Sequence, residues 1–172
     1  MPGSLDAGFA ASARFRRRSV ILVIRCMKKT LSIIGIVAII CAAFGLFYNL
    51  RSVGYIFSDA MPELDKDAPY FYPAYFIMSG VCVICYLLLM ASGVQFLRGR
   101  LGWISAFIAL LIFEVVYFFA VAFLWMLPGI GRTVAAASGV ANGGLMFQFV
   151  ILFPLWGGIL AYRAKRRLEQ SI

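Results

Sequence analysis

The chain has 172 residues, of which 63% are hydrophobic and only 13% are charged, with a mean hydropathy of +0.94. Soluble domains carry about 45–50% apolar and about 25% charged residues, so this composition excludes a soluble globular domain and predicts an integral membrane protein. The net charge of +9 does not indicate nucleic-acid binding. The basic residues flank apolar segments, where they act as topology signals and as contacts to anionic lipids.

The chain contains no histidine and four cysteines, Cys26, Cys41, Cys82 and Cys85. Without histidine, mixed His–Cys zinc sites, Ser-His-Asp catalysis and a histidine pH switch are excluded. None of the cysteines lies in a segment predicted to be outside the cell, which argues against a disulfide framework. We therefore expect no metal and no cofactor, and we interpret the protein as non-enzymatic, with one redox alternative given below.

Residues 1–30 form a basic segment ahead of the first long apolar stretch. Seven Lys and Arg residues surround a short apolar run, residues 19–24, which cannot span a bilayer. Two interpretations have equal weight. Either the segment is a cytoplasmic anchor on the membrane surface, or translation begins at Met27, directly before Lys28 and Lys29, and residues 1–26 are not translated.

The first predicted transmembrane helix covers residues 31–50. Small residues recur in it at steps of three and four, which places them in one narrow stripe on a helix. They are Gly35, Ala38, Ala42 and Gly45, followed by Asn49. Small side chains let helices approach closely in lipid, so we interpret this stripe as a packing seam.

A polar loop, residues 51–70, holds four of the seven acids and leads to a second predicted helix over residues 71–97. Ser79, Cys82, Tyr86 and Gly93 share one stripe of this helix and are expected to face the bundle. The Cys82-x-x-Cys85 spacing suggests thiol redox chemistry, but redox pairs of this kind lie at helix N-termini, where the dipole stabilises a thiolate. A position in the middle of a transmembrane helix makes that interpretation the weakest of three.

A turn of three residues, 98–100, makes the second and third helices antiparallel neighbours, with Gly99 in the left-handed position after the second helix. The third helix, residues 101–127, carries one acid, Glu114, near its centre. One face of this helix is small, and the opposite one, which includes Glu114, is bulky and aromatic. The small face comprises Gly102, Ala106, Ala109 and Ala120, and the bulky face comprises Trp103, Phe107, Tyr117, Phe118, Val121 and Trp125.

The connector that follows, residues 128–144, is rich in Gly and Ala, and residues 133–141 are predicted to form a short helix on the membrane surface. A fourth transmembrane helix is predicted over residues 145–162, with Gln148 as a buried polar residue and Pro154 as a helix kink. Residues 163–172 form a basic tail.

The distribution of basic residues predicts the orientation. Thirteen of the sixteen Lys and Arg residues lie in the N-terminal segment, the 98–100 turn and the tail, whereas the other two loops hold only Arg51, Lys66 and Arg132. The positive-inside rule then places both termini in the cytoplasm. The predicted fold class is an all-α, integral membrane four-helix bundle with both termini inside, in a plasma membrane or a bacterial inner membrane.

Glu114 is the main candidate for function, because a carboxyl group in the middle of a bilayer is costly and therefore usually partnered or functional. The other three helices contain no Lys or Arg to pair with it. We expect Glu114 to be neutral or to face water, and a neutral carboxyl could donate a hydrogen bond to Tyr86, Gln148 or the Val150 carbonyl freed by Pro154.

Three functional hypotheses follow, in order of preference. The first is an accessory or scaffold protein that associates laterally, through the bulky face of the third helix with Glu114, with another copy or another membrane protein, alongside anionic lipid on the cytoplasmic side. The second is an oligomeric unit that transports protons or cations through Glu114. The third is a membrane thiol redox protein that uses Cys82 and Cys85.

Overall fold

The computed structural model describes residues 5–56, 68, 70–100 and 102–169 of the chain. Within these ranges the protein is all-α and forms five helices. They are α1 (Leu5–Ile56), α2 (Phe71–Leu97), α3 (Trp103–Trp125), α4 (Gly131–Ala141) and α5 (Gly143–Glu169). The acids predicted in the 51–70 loop, which are Asp59, Glu63, Asp65 and Asp67, lie outside the described residues.

Three helical stretches are long and apolar enough to cross a membrane: Met27–Gly54, Phe71–Leu97 and Trp103–Trp125. A fourth span is formed if α4 and the first part of α5 are taken together, as Gly131–Ala141 and Gly143–Ile159. These two pieces meet at an angle of 65°. The described chain therefore offers three continuous candidate spans, or four if the bent pair is one span.

The first helix is longer than the predicted transmembrane stretch, because it begins at Leu5 instead of residue 31. No Gly or Pro interrupts the sequence between Gly8 and Gly35, and Ala, Arg, Leu and Lys are good helix formers. The basic segment and the first span are consequently one continuous helix, with Lys28 and Lys29 exposed where its apolar part begins.

Helix α1 packs closely along α2 through glycines on both helices. A Cβ atom added to Gly35 would lie 2.7 Å from the carbonyl oxygen of Gly93, and one added to Gly93 would lie 2.7 Å from the carbonyl oxygen of Gly35. Farther along, Gly45 lies against the ring of Tyr86. Ala38 and Ala42 are fully buried in the same interface.

The turn between α2 and α3 has the predicted left-handed residue. Gly99 has a φ of 71°, and its backbone N–H donates to the carbonyl of Phe96 at 2.9 Å. The next N–H, from Arg100, donates to Gln95 at 3.0 Å. These two bonds satisfy carbonyls at the end of α2, as in other helices that end with a glycine.

The short helix predicted in the connector is present as α4, but the prediction that it lies on the surface is wrong. Val134, Ala137 and Ala141 are buried in a cluster with residues of α2, including Tyr75 and Met78. The small side chains of α4 let it enter the bundle beside α2. The break at Asn142 then turns the chain into α5, which continues as a helix through the exposed Pro154.

Candidate functional site: a polar layer inside the bundle

The carboxyl group of Glu114 lies inside the bundle, between α3 and α5. Its side chain is 0% exposed, as is that of Gln148. The Gln148 Nε2 donates a hydrogen bond of 2.6 Å to Glu114 Oε1. Gln148 is therefore the neighbour that meets Glu114, out of the three considered from the sequence.

The other two oxygens of this pair can share a second hydrogen bond when the carboxyl group is neutral. Glu114 Oε2 and Gln148 Oε1 are both buried, and neither has another hydrogen-bond partner among the described residues. A neutral carboxyl group has one O–H donor, and an amide oxygen can accept it. An O–H on Glu114 Oε2 that donated to Gln148 Oε1 would close a two-bond ring between acid and amide. This arrangement would satisfy the carboxyl group without a cation.

Tyr86 is also fully buried, but it lies on the other side of the layer. A Cβ atom added to Gly144 would lie 2.6 Å from the Tyr86 hydroxyl oxygen. The aromatic ring occupies the space that Gly45 leaves open on α1 and Gly144 leaves open on α5. Tyr86 thus fills the junction of three helices, α1, α2 and α5.

A second polar group is centred on Asn142, at the break between α4 and α5. Its Oδ1 accepts a 2.8 Å hydrogen bond from the Tyr117 hydroxyl and a 3.4 Å bond from the Cys82 thiol. The side-chain amide of Asn49 donates to the carbonyl of Ala141 at 3.4 Å. A broken helix in an apolar environment is tolerated where neighbouring groups satisfy the freed backbone, and Asn49 does this for the Ala141 carbonyl. Tyr117 and Cys82 instead fix the Asn142 side chain at the break.

Asn142 was not among the residues predicted to form a site. A signal was present, because Asn142, Gly143 and Gly144 form an Asn-Gly-Gly sequence, and Asn-Gly pairs indicate a turn or a break. The connector was expected to end on the membrane surface, so this break was not placed within the bundle. The tertiary contacts of Tyr117 and Cys82 give Asn142 its position.

Three of the four cysteines, Cys41, Cys82 and Cys85, are buried and free of disulfides. The Cys82 thiol donates to Asn142, and Cys85 borders a recess between α2 and α3. No group of three or more metal-ligating Cys, Asp or Glu side chains occurs among the residues searched in the described ranges. The redox interpretation of Cys82 and Cys85 stays a prediction.

The positions of the two faces of α3 are the reverse of those expected if its small residues packed closely against other helices of the chain. The bulky face looks inward, with Phe107 and Val121 buried and Tyr117 half-buried. The small face looks outward: all four of its predicted members are exposed. They are Gly102, Ala106, Ala109 and Ala120. Phe107 packs against Phe96 of α2 and Phe118 packs against Phe149 of α5, where small residues would leave a void.

Two hydrogen bonds from aromatic residues lie at the end of the bundle that holds the C-terminus of α3. The Trp125 Nε1 donates to the Ser138 hydroxyl of α4 at 3.1 Å, although half of its side chain is exposed. Ser52 and Tyr75 share a 2.9 Å bond between α1 and α2 at the same end of the bundle. The first bond attaches α4 to α3, and the second joins α1 to α2.

Comparisons with known proteins do not extend this picture, because no family model, curated protein or solved structure matches the chain.

Proposed function

We propose that this protein is a non-enzymatic, multi-pass membrane protein that acts by lateral association, and that the exposed small-residue face of α3 is the surface it uses. The observation that carries the proposal is the outward position of Gly102, Ala106 and Ala109. Helix association in lipid depends on van der Waals packing, and small residues permit the close approach it needs.

The spacing on this face suits a helix partner. Gly102 and Ala106 are four residues apart, and so are Ser105 and Ala109, which gives two neighbouring small-xxx-small pairs. All four residues are exposed. A Cβ atom added to Gly102 would meet nothing within 4 Å. A partner helix can therefore approach the backbone of α3 without displacing any side chain of this chain.

The position of α3 within the bundle supports the same conclusion. Only 28% of the apolar 18-residue stretch of α3 is buried, compared with 39% of the corresponding stretches of α1 and α2. Next to the small face, a recess of about 430 Å³ lies between α2 and α3 and includes Leu88, Ser92 and Trp103 in its lining. The side chains of a partner helix could enter this recess.

Glu114 has an internal role in this proposal. Its hydrogen bond to Gln148 joins α3 to α5, and interhelical polar contacts of this kind contribute about 0.6–2 kcal/mol in membrane proteins. This contact holds the bulky face of α3 inward and keeps the small face outward. The sequence suggested the face with Glu114 as a docking surface. In this proposal the small face of α3 takes that role instead.

A photocrosslinking residue at Ser105 tests the association directly. In native membranes it should form an adduct with a second copy of the chain or with another membrane protein, whereas the same residue at Ile40, which is exposed on α1, should not. Adducts with lipid alone, or equal protein adducts at the two positions, would contradict the proposal.

The small side chains themselves can be tested by Ala106→Leu. It should reduce the protein adduct from Ser105 about tenfold, equivalent to about 1.4 kcal/mol, because a larger side chain prevents close approach. Ala43→Leu, at an exposed alanine of α1, is the matched control and should leave the adduct unchanged.

A second candidate function is proton or cation transport by an oligomer, and the 65° break between α4 and α5 is the observation that favours it. Broken helices in transporters often surround the binding site near the middle of the membrane. Glu114→Gln keeps a hydrogen-bonding side chain and removes the titratable group. Under the transport hypothesis, proton or cation flux into vesicles should be lost in this variant, whereas under the association proposal the Ser105 adduct should persist.

The proposal includes an orientation with both termini in the cytoplasm of a cell that has a plasma membrane or a bacterial inner membrane. It is supported by the asymmetric distribution of Lys and Arg. A reporter fused after Ile172 should be active only in its cytosolic form. Activity of a reporter that requires the outer side would contradict this orientation.

A further inference from the structure

A recess lies between α1 and α5 at the end of the bundle that carries the basic residues. Its volume is about 350 Å³, and its walls are mostly aliphatic, with Met27, Leu31 and Ile34 on α1 and Leu155, Gly158 and Ile159 on α5 among them. It lies apart from the small face of α3 and shares no lining residue with the recess beside that face.

The walls of the recess, which are apolar apart from Thr30, suit a single flexible hydrocarbon chain. Such a chain presents no polar group that these walls would leave without a hydrogen bond.

Basic residues lie near one end of the recess on both helices. On α1, Lys28 directly follows Met27 and is exposed, about 100° around the helix from it, whereas Lys29 is about 160° around the helix from Met27 and lies on the other face. On α5, Arg163 lies one turn beyond Ile159 and is half-buried, about 6 Å farther along the helix axis. Lys28 and Arg163 therefore lie beside this end of the apolar walls, at the level where a lipid chain would join its headgroup.

We propose that this recess binds one acyl chain of an anionic phospholipid, whose phosphate is contacted by Lys28 and Arg163. The charge of the basic residues selects an anionic headgroup over a zwitterionic one, since they attract the net charge of the lipid. The aliphatic walls hold the chain in a defined place between α1 and α5. The proposal is independent of association through α3.

The matched pair Gly158→Leu and Gly157→Leu tests the recess. Gly158 lines it and Gly157 does not, and a Cβ atom added to either glycine would meet nothing within 4 Å. Both substitutions also favour a helix. Native mass spectrometry of the full chain, purified in mild detergent with dioleoylphosphatidylglycerol, should show one retained lipid in the wild type and in Gly157→Leu. Gly158→Leu should retain about fivefold less.

The charges are tested separately, by comparing dioleoylphosphatidylglycerol with dioleoylphosphatidylcholine. The wild type should retain the anionic lipid about tenfold better, and the combined change Lys28→Gln with Lys29→Gln should reduce this preference at least threefold. Both lysines are exposed, so the fold does not depend on them. Equal retention of the two lipids by the wild type, unaltered retention by Gly158→Leu, or a protein chain retained in place of a lipid would overturn the proposal.

Discussion

Two stripes of small residues in this protein have similar sequences and opposite environments. The stripe on α1, from Gly35 to Gly45, is buried against α2, whereas the stripe on α3, from Gly102 to Ala109, is exposed. Both allow close approach of another helix, but only the first has its partner within the described chain. A small-residue stripe thus predicts that another helix packs closely against it, but it does not identify that helix.

The largest expected effect is at the buried stripe. Gly35→Ala should lower the free energy of unfolding by about 1–3 kcal/mol, as overpacking of a closely packed interface does, because the new methyl group meets the Gly93 carbonyl at 2.7 Å. Unfolding in detergent by sodium dodecyl sulfate, followed by circular dichroism, measures this change.

Gly80→Ala is the matched control on α2, since its Cβ would meet nothing within 4 Å. It should be neutral or slightly stabilising, because Ala favours a helix over Gly. A Gly35→Ala variant as stable as Gly80→Ala would contradict the close contact between α1 and α2 at Gly35.

An intermediate effect is expected at the link that holds the bulky face of α3 inward. Gln148→Leu leaves the Glu114 carboxyl group buried without the amide that donates to it, and an unsatisfied buried polar group costs about 1–3 kcal/mol. Glu114→Gln should cost less than about 1 kcal/mol, because two amides can still form a hydrogen bond. The same unfolding measurement compares them. A Gln148→Leu variant no less stable than Glu114→Gln would remove Gln148 as the main partner of Glu114.

The smallest effect on stability is expected at the exposed stripe. Ala106→Leu should change the free energy of unfolding by no more than about 0.5 kcal/mol, as exposed substitutions usually do. Ala42→Leu, at a fully buried alanine of α1, should cost about 1–3 kcal/mol by overpacking. Similar losses in the two variants, measured for monomers in detergent, would mean that the face of α3 is packed within the chain and would contradict its outward position.

Much of the fold was predictable because a chain with stretches apolar enough to span a membrane has few possible secondary structures. Long apolar stretches identified the helical spans, and Gly99 identified the end of α2. The length of α1 was underestimated, since a helix can continue past its apolar part when no Gly or Pro interrupts it. The position of α4 was wrong because a short sequence of small residues fits a membrane surface and a buried interface equally well.

The sequence predicted which residues belong to the candidate site better than it predicted how they are arranged. Glu114 and Gln148 were both identified as buried polar residues, because polar side chains in an apolar stretch are conspicuous. Their direct contact depends on how α3 and α5 rotate against each other, which helical periodicity alone does not specify. Asn142 was missed for the same reason, as its partners Tyr117 and Cys82 come from two other helices.

The sequence by itself determined that the chain is all-α, that its helices are long and apolar enough for a membrane, and that Glu114 has no basic partner within the predicted transmembrane helices. These properties follow from composition and from spacing along one helix. Only the tertiary structure decided that the aromatic face of α3 is internal and its small face external. That choice depends on which side chains fill the space between helices, because bulky residues of α3 pack against aromatic residues of α2 and α5 where small residues would leave a void.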